Sequence, residues 1–168
     1  MSGSKMAAST QDKPPDSDLG SAWGNDPVLA LLSYLRDGPH RSDVPHTACL
    51  LLAQLCGPAC GVGVFLGNVP QGIGPVHSNI GISHAGDLSQ HIEQECQRHA
   101  RIGSSYAPVD MHDALQVPLS DTDGRLQGVL VVTNASHLTA GSRARIAGIS
   151  DALSLSIGEI ASRRGRQV

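Results

Sequence analysis

The pattern of apolar and polar positions is clearest between residues 114 and 133. Leu115, Val117 and Leu119 alternate along a half-buried strand, Asp121 to Gly124 supplies residues that tolerate positive φ, and Leu126 to Val132 resumes in aliphatic and β-branched residues. The stretch predicts a hairpin. Its second strand is apolar on both faces, with Leu130 and Val132 on one and Val129 and Val131 on the other. A strand without a polar face belongs to a sheet covered on both sides. The expected fold class is therefore α/β (α+β), a three-layer sandwich with a central, mainly antiparallel sheet and helices on both faces.

The remaining elements follow from periodicity. Asp26-Pro27 reads as an N-cap followed by proline at the first helical position, and Val28, Leu31, Leu32 and Leu35 keep helical spacing up to Gly38. A second helix is expected over Val44 to Cys56, stopped by Gly57-Pro58. Gly61 to Gly67 reads as a buried strand, with Val62, Val64 and Leu66 on one face and Phe65 on the other, where Gly61 and Gly63 would let a helix lie close. Residues 68 to 74 are turn-rich. Val76, Ser78, Ile80 and Ile82 then alternate through a further strand, and Leu88, Ile92 and Cys96 form the apolar stripe of a helix from Leu88 to Arg101. Ala140 to Ser162 is expected to be the longest helix, because Ile146, Ile149, Leu153, Ile157 and Ile160 follow three-and-four spacing. Domain organisation is read as a disordered tail over 1–24, rich in Ser, Asp, Pro and Gly, one domain over 25–162, and a basic tail over 163–168.

Composition narrows the function. The 168 residues have room for one domain, and 40% apolar with 2% aromatic residues means an aliphatic core with few rings to stack on a planar cofactor. No cofactor is identifiable. A formal charge of −3 gives no field for nucleic acid, and Arg163, Arg164 and Arg166 read as the basic last turn of a helix. No apolar run approaches a membrane span, and no signal core opens the chain, so a cytoplasmic protein is expected.

Candidate chemistry is sparse. His91, Glu95 and His99 stand four apart on one helical stripe, beside Cys96. The two histidines lie about 12 Å apart along the axis, so one ion could be held only by a neighbouring pair with help from His77, His84 or His112. The alternative is a solvated helix face with ion pairing to Arg98. Cys49, Cys56 and Cys60 form a C-x6-C-x3-C spacing that matches no zinc pattern and reads as core thiols. Asp110 and Asp113 flank His112 in a loop. Nucleophile, phosphate-cradling and paired-carboxylate motifs are lacking, so no catalytic residue and no metal site is assigned.

Val117-Pro118-Leu119, then Asp123-Gly124-Arg125-Leu126-Gln127-Gly128-Val129-Leu130, then a helix beginning near Leu138, resembles the closing half of a GAF domain, a small-molecule-sensing α/β module. The resemblance covers about 27 to 160, by layout more than by letters over 68 to 113. It implies that Pro118 sits where a ladder bond is dispensable and Gly128 where the backbone comes close to a neighbour. It also implies a ligand pocket between the sheet and the shorter helix, with Phe65, His77, His84, His91, Glu95, Cys96, His99 and His112 as candidate lining. The terminal helices would then pack on the other face of the sheet, which their apolar stripes cover in part, and would also form a homodimer interface through Leu31, Leu35, Ile146, Ile149, Leu153, Ile157 and Ile160. The expected function is a non-catalytic sensory or regulatory module that binds a small-molecule ligand or a regulatory protein and signals through its terminal helices. No output segment follows the domain, so the chain is expected to be part of a longer protein or to act through a partner. The alternatives are a GAF-fold, thiol-dependent methionine sulfoxide reductase, for which the pocket region offers only Cys96, inside a helix, with no partner thiol in a loop before the hairpin, and a dimerisation scaffold without ligand.

Overall fold

The computed structural model describes residues 26–67, 75–103 and 105–167, with side chains described as far as Ile157. The expected N-terminal tail, the 68–74 loop and the side chains of Ile160 and of the C-terminal arginines lie outside the described residues. Within them the chain forms α1 (Pro27–Arg36), α2 (Val44–Cys56), β1 (Val62–Leu66), β2 (Val76–Ile80), α3 (Ala85–Ile102), β3 (Ala114–Ser120), β4 (Leu126–Thr133) and α4 (Ala140–Gln167). Single 3-10 turns stand at Arg41–Asp43 and Ala135–His137. The fold is mixed α/β, with four described helices and one open antiparallel sheet. Among the described residues, no helix is long and apolar enough to cross a membrane.

Local chemistry sets the boundaries. The Asp26 carboxylate accepts the N–H of Val28 at 3.0 Å, with Pro27 opening the helix behind it. Gly57 ends α2 at φ 83° and Gly103 ends α3 at φ 71°, both in the region that favours glycine. In the hairpin, Asp121 Oδ1 accepts the N–H groups of Asp123 and Arg125, each at 2.9 Å, and Gly124 takes φ 81°.

The sheet runs β2-β1-β4-β3, every pair antiparallel. Its central strands meet two cores. Val62, Val64, Leu66, Leu130 and Val132 pack under α1, α2 and α4 with Leu31, Leu52, Ile149 and Leu153, whereas Phe65, Val129 and Val131 pack under α3 with Leu88, Ile92 and Cys96. Each aliphatic side chain so buried contributes about 1.5–3 kcal/mol, which is why neither layer is dispensable.

Three expectations are corrected. Gly61 and Gly63 do not make room for a helix. A Cβ at Gly63 would stand 2.7 Å from the Phe65 ring and 2.8 Å from Ile82, and one at Gly61 would meet the backbone of Gly81 and the Thr133 hydroxyl; the close approach of α3 is at Gly67, against Cys96. Ile82 does not continue the alternation of β2, because Gly81 at φ 78° turns the chain and sends Ile82 into the core under α3. Leu31, Leu35, Ile146, Ile149, Leu153 and Ile157 are between 0 and 6% exposed inside the protomer, so they present no surface to a second chain. Among the described residues, the large apolar side chains that α1 and α4 leave outside are Leu29, Leu32 and Leu155.

Gly128 is the tightest position, since a Cβ there would lie 2.2 Å from the Phe65 carbonyl oxygen of the adjacent strand. Gly128→Ala is expected to lose about 3 kcal/mol of stability, the upper end of overpacking costs. Gly86→Ala, where an added Cβ meets nothing within 4 Å, should be neutral or gain up to about 1 kcal/mol. Urea unfolding of both variants measures the contrast.

Candidate functional site

The first turns of α3 and the segment leading into β3 enclose a cleft of about 410 Å³. Leu88 from α3 with Val109 and Met111 from the segment make its apolar floor, and His84, Asp87, His91, Asp110 and His112 supply its polar wall. His84 holds the left-handed conformation at φ 58° immediately before α3, so its side chain leaves the helix axis instead of joining the helical stripe. Asp87 lies in the first helical turn, where a carboxylate complements the N-terminal dipole.

The segment from Ser105 to Val109 is irregular, yet each side of it is tied. On the α3 side, Glu95 is 8% exposed and accepts the Ala107 N–H at 2.9 Å, the Arg98 Nε–H at 3.0 Å and an Arg98 terminal N–H at 2.5 Å. Arg98 also donates to the Ser105 carbonyl at 2.8 Å, and His91 Nε2 lies 3.0 Å from the Ala107 carbonyl. A carbonyl only accepts, so this contact keeps the His91 proton on Nε2. The His91 ring also meets Tyr106 edge-on, with centroids 6.2 Å apart. On the β3 side, the Gln116 carboxamide acts as a substitute strand. Its oxygen accepts the Val109 N–H at 3.0 Å and the Tyr106 hydroxyl at 2.7 Å, and its nitrogen donates to the Val109 carbonyl at 2.7 Å. The cleft wall is thereby held by bonds from two separate elements.

Electrostatics reinforce this strap. The hydrogen bonds from Arg98 hold the Glu95 carboxyl down at about 2, against the opposing effect of burial. Burial, with the Glu95 charge nearby, pushes the Tyr106 phenol up to about 12, so it stays a neutral donor. Asp113, left-handed at φ 50°, binds the Ser136 hydroxyl at 2.7 Å and its N–H at 3.0 Å, and these bonds lower its pKa. It fastens the start of β3 to the turn after β4, and does not line the cleft.

Of the eight residues expected to line a pocket, the cleft brings together His84, His91 and His112. Glu95 stands behind the wall as its clamp. Phe65 is core, 1% exposed, and stacks on His77 across β1 and β2 at 5.4 Å. His99 points to the far end of α3, with Nε2 3.1 Å from the Gly124 carbonyl of the hairpin turn. Cys96 is buried against Gly67, and burial pushes its thiol up to about 12. Burial likewise raises Cys49 and Cys56 to about 11, and raises Cys60. All four cysteines are free thiols, and none is poised as a thiolate. Among the described residues, no three His, Cys, Asp or Glu side chains converge to hold a metal ion.

Several participants carried no periodic signal. Gln116 sits at an ordinary strand position, and only its polarity hinted that something beyond the strand needed it. Away from the cleft, Arg41, between α1 and α2 in the chain, is 1% exposed and donates to the Gly67 carbonyl; burial lowers its pKa, with Cys96 and Glu93 nearby opposing that. Met111 and Val109 lie in a loop, where hydrophobicity shows no face.

Glu95→Ala should cost about 1–3 kcal/mol, because the Ala107 N–H and the Arg98 guanidinium lose their acceptor. A carboxylate held down in the folded state gives stability that is complete above its ordinary pKa of 4.5 and is lost as pH falls toward about 2. Urea unfolding from pH 7 to pH 3 should therefore show a shallower acid loss in the variant than in the wild type.

No protein-family model matches this chain, and no curated protein is significantly similar to it in sequence.

Proposed function

We propose that this chain is a sensory or regulatory module of the GAF type, a three-layer sandwich that binds a small ligand in the cleft between α3 and the 109–112 segment. The observation that carries the reading is the cleft itself. Its volume falls within the range of small-molecule sites, and an apolar floor beneath a few convergent polar groups is the usual chemistry of such a site. The order of elements supports the same reading: two helices, two strands, the α3 layer on one face, then the hairpin and the long helix on the opposite face.

A ligand there would contact Leu88 and His91 on α3, pull on the strap through Val109, and touch Met111 in the stretch that joins the strap to β3. The strap is continuous with β3, and β4 lies between α3 on one face and α4 on the other. A shift in the strap therefore reaches α4 through packed neighbours, the kind of contiguous route that coupling between two faces needs. The imidazoles of His84 and His112 and the carboxylates of Asp87 and Asp110 would select a ligand with polar edges and a compact apolar centre. Such a module works in the cytoplasm.

Ser83→Trp places a large ring at the exposed rim of the cleft without removing a core contact. A library of small polar fragments, followed by backbone amide shifts of the wild-type protein, should give binders that move residues 83–91 and 109–112. The variant should bind the same fragments at least about tenfold more weakly, about 1.4 kcal/mol. Binders that move other regions, or that are indifferent to Ser83→Trp, refute the assignment.

A further inference from the structure

We propose that a second copy of this chain pairs with the first along the outer edge of β2, so that two four-stranded sheets join into one antiparallel sheet across a two-fold axis. The proposal stands independently of the ligand cleft, which lies between α3 and the segment before β3.

The two edges of the sheet are not alike. Thr133 N–H donates to the Gly61 carbonyl at 2.8 Å, and Gly67 N–H to the Gln127 carbonyl at 2.9 Å. Antiparallel ladders alternate, so odd-numbered residues of β1 bond toward β4 and even-numbered ones toward β2. Through the pairs Val62–Ile80, Val64–Ser78 and Leu66–Val76, β2 directs residues 76, 78 and 80 inward and leaves the backbone groups of His77 and Asn79 facing outward. The same alternation carried across β4 turns Pro118 of β3 outward. That edge therefore lacks an N–H where a new strand would need one, and a bulge at Leu119/Ser120 breaks it further. Among the described residues, the β2 edge has no such protection. Val76 to Ile80 contains no proline and no charged Lys, Arg, Asp or Glu, and its register is unbroken.

The strand also fits its own copy. An antiparallel pairing centred on Ser78 sets His77 opposite Asn79 of the second copy, and Asn79 opposite its His77. These positions carry the outward groups, so the two pairs exchange four backbone hydrogen bonds. The same register lays Val76 beside Ile80 of the second copy on the α2 side of the sheet, while the opposite side pairs His77 with Asn79. Other in-phase registers leave Ile80 or Val76 opposite residues outside the strand.

The layer above agrees. α2 packs over β1 and β2, so its axis lies about half a strand spacing inside β2, and the two-fold axis lies half a spacing outside. The two α2 helices are then about two strand spacings apart, roughly 9–10 Å, which is the separation of packed helices. Leu50 on α2 and Ile80 on β2 are 41% and 42% exposed, and both line the open groove of about 790 Å³ that runs from the end of α2 across the ends of β2, β1 and β4. An isologous contact covers both on both copies.

Sedimentation equilibrium of the full chain reads the result. The wild type is expected to be a dimer at micromolar concentration. Ile80→Lys and Leu50→Lys, both on the surface, should each weaken it at least about tenfold while melting like the wild type. A wild type that stays monomeric overturns the proposal, as does a dimer that survives both substitutions. Should either variant fail to fold, hydrogen exchange of the wild type decides: the His77 and Asn79 amides should exchange more slowly as protein concentration rises. Concentration-independent exchange at those two amides overturns the proposal.

Discussion

Strands β1 and β4 have no face left for water. Val62, Val64 and Leu66 look toward one helical layer and Phe65 toward the other, and β4 does the same with Leu130 and Val132 against Val129 and Val131. A pleated strand that is apolar on both sides can be stable only between two covers. Everything else in the molecule answers that requirement. α1, α2 and α4 supply one cover, α3 the other, and the irregular strap from Ser105 to Val109 is what lets the chain cross from α3 back into β3.

That division explains where a site can form. The three-helix layer closes over a core of residues that are almost wholly buried. Among the described residues, the single-helix layer covers the sheet with α3 alone, and beyond its first turns the flank is closed by a segment that has no regular hydrogen bonds of its own. Such a segment must take its partners from side chains, and Glu95 and Gln116 provide them. The cleft is thus a consequence of covering a two-sided sheet unequally.

Much of this was legible in the sequence. Alternation at Leu115, Val117 and Leu119, the aspartate-glycine turn and the doubly apolar β4 defined the hairpin, and helical spacing defined α2 at its observed limits. The resemblance-based reading of Gly128 as a close approach also holds. What periodicity reports is which side of an element avoids water, and it does not report which neighbour lies there. Periodicity thus leaves open that a ring from its own strand fills the space at Gly63, and that the sheet covers the α4 stripe from Ile146 to Ile157 without leaving surface for a second chain. The site was less legible. Three of the expected histidines do line the cleft, but Gln116, Val109 and Met111 act through positions that only the folded chain brings together.

The order of the strands has a consequence for how the molecule is made. Gly61 and Thr133 are bonded neighbours although 72 positions separate them. During synthesis, β1 leaves the ribosome long before its central partner exists, carrying valines on one side and a phenylalanine on the other. At about 5–20 residues per second, that interval lasts several seconds. Pairing across such a separation is intrinsically slow. Until β4 emerges, the nascent chain must shield β1 with α1, α2 and whatever chaperone the cell supplies, so its solubility at birth depends on the helices that precede the sheet more than on the sheet itself.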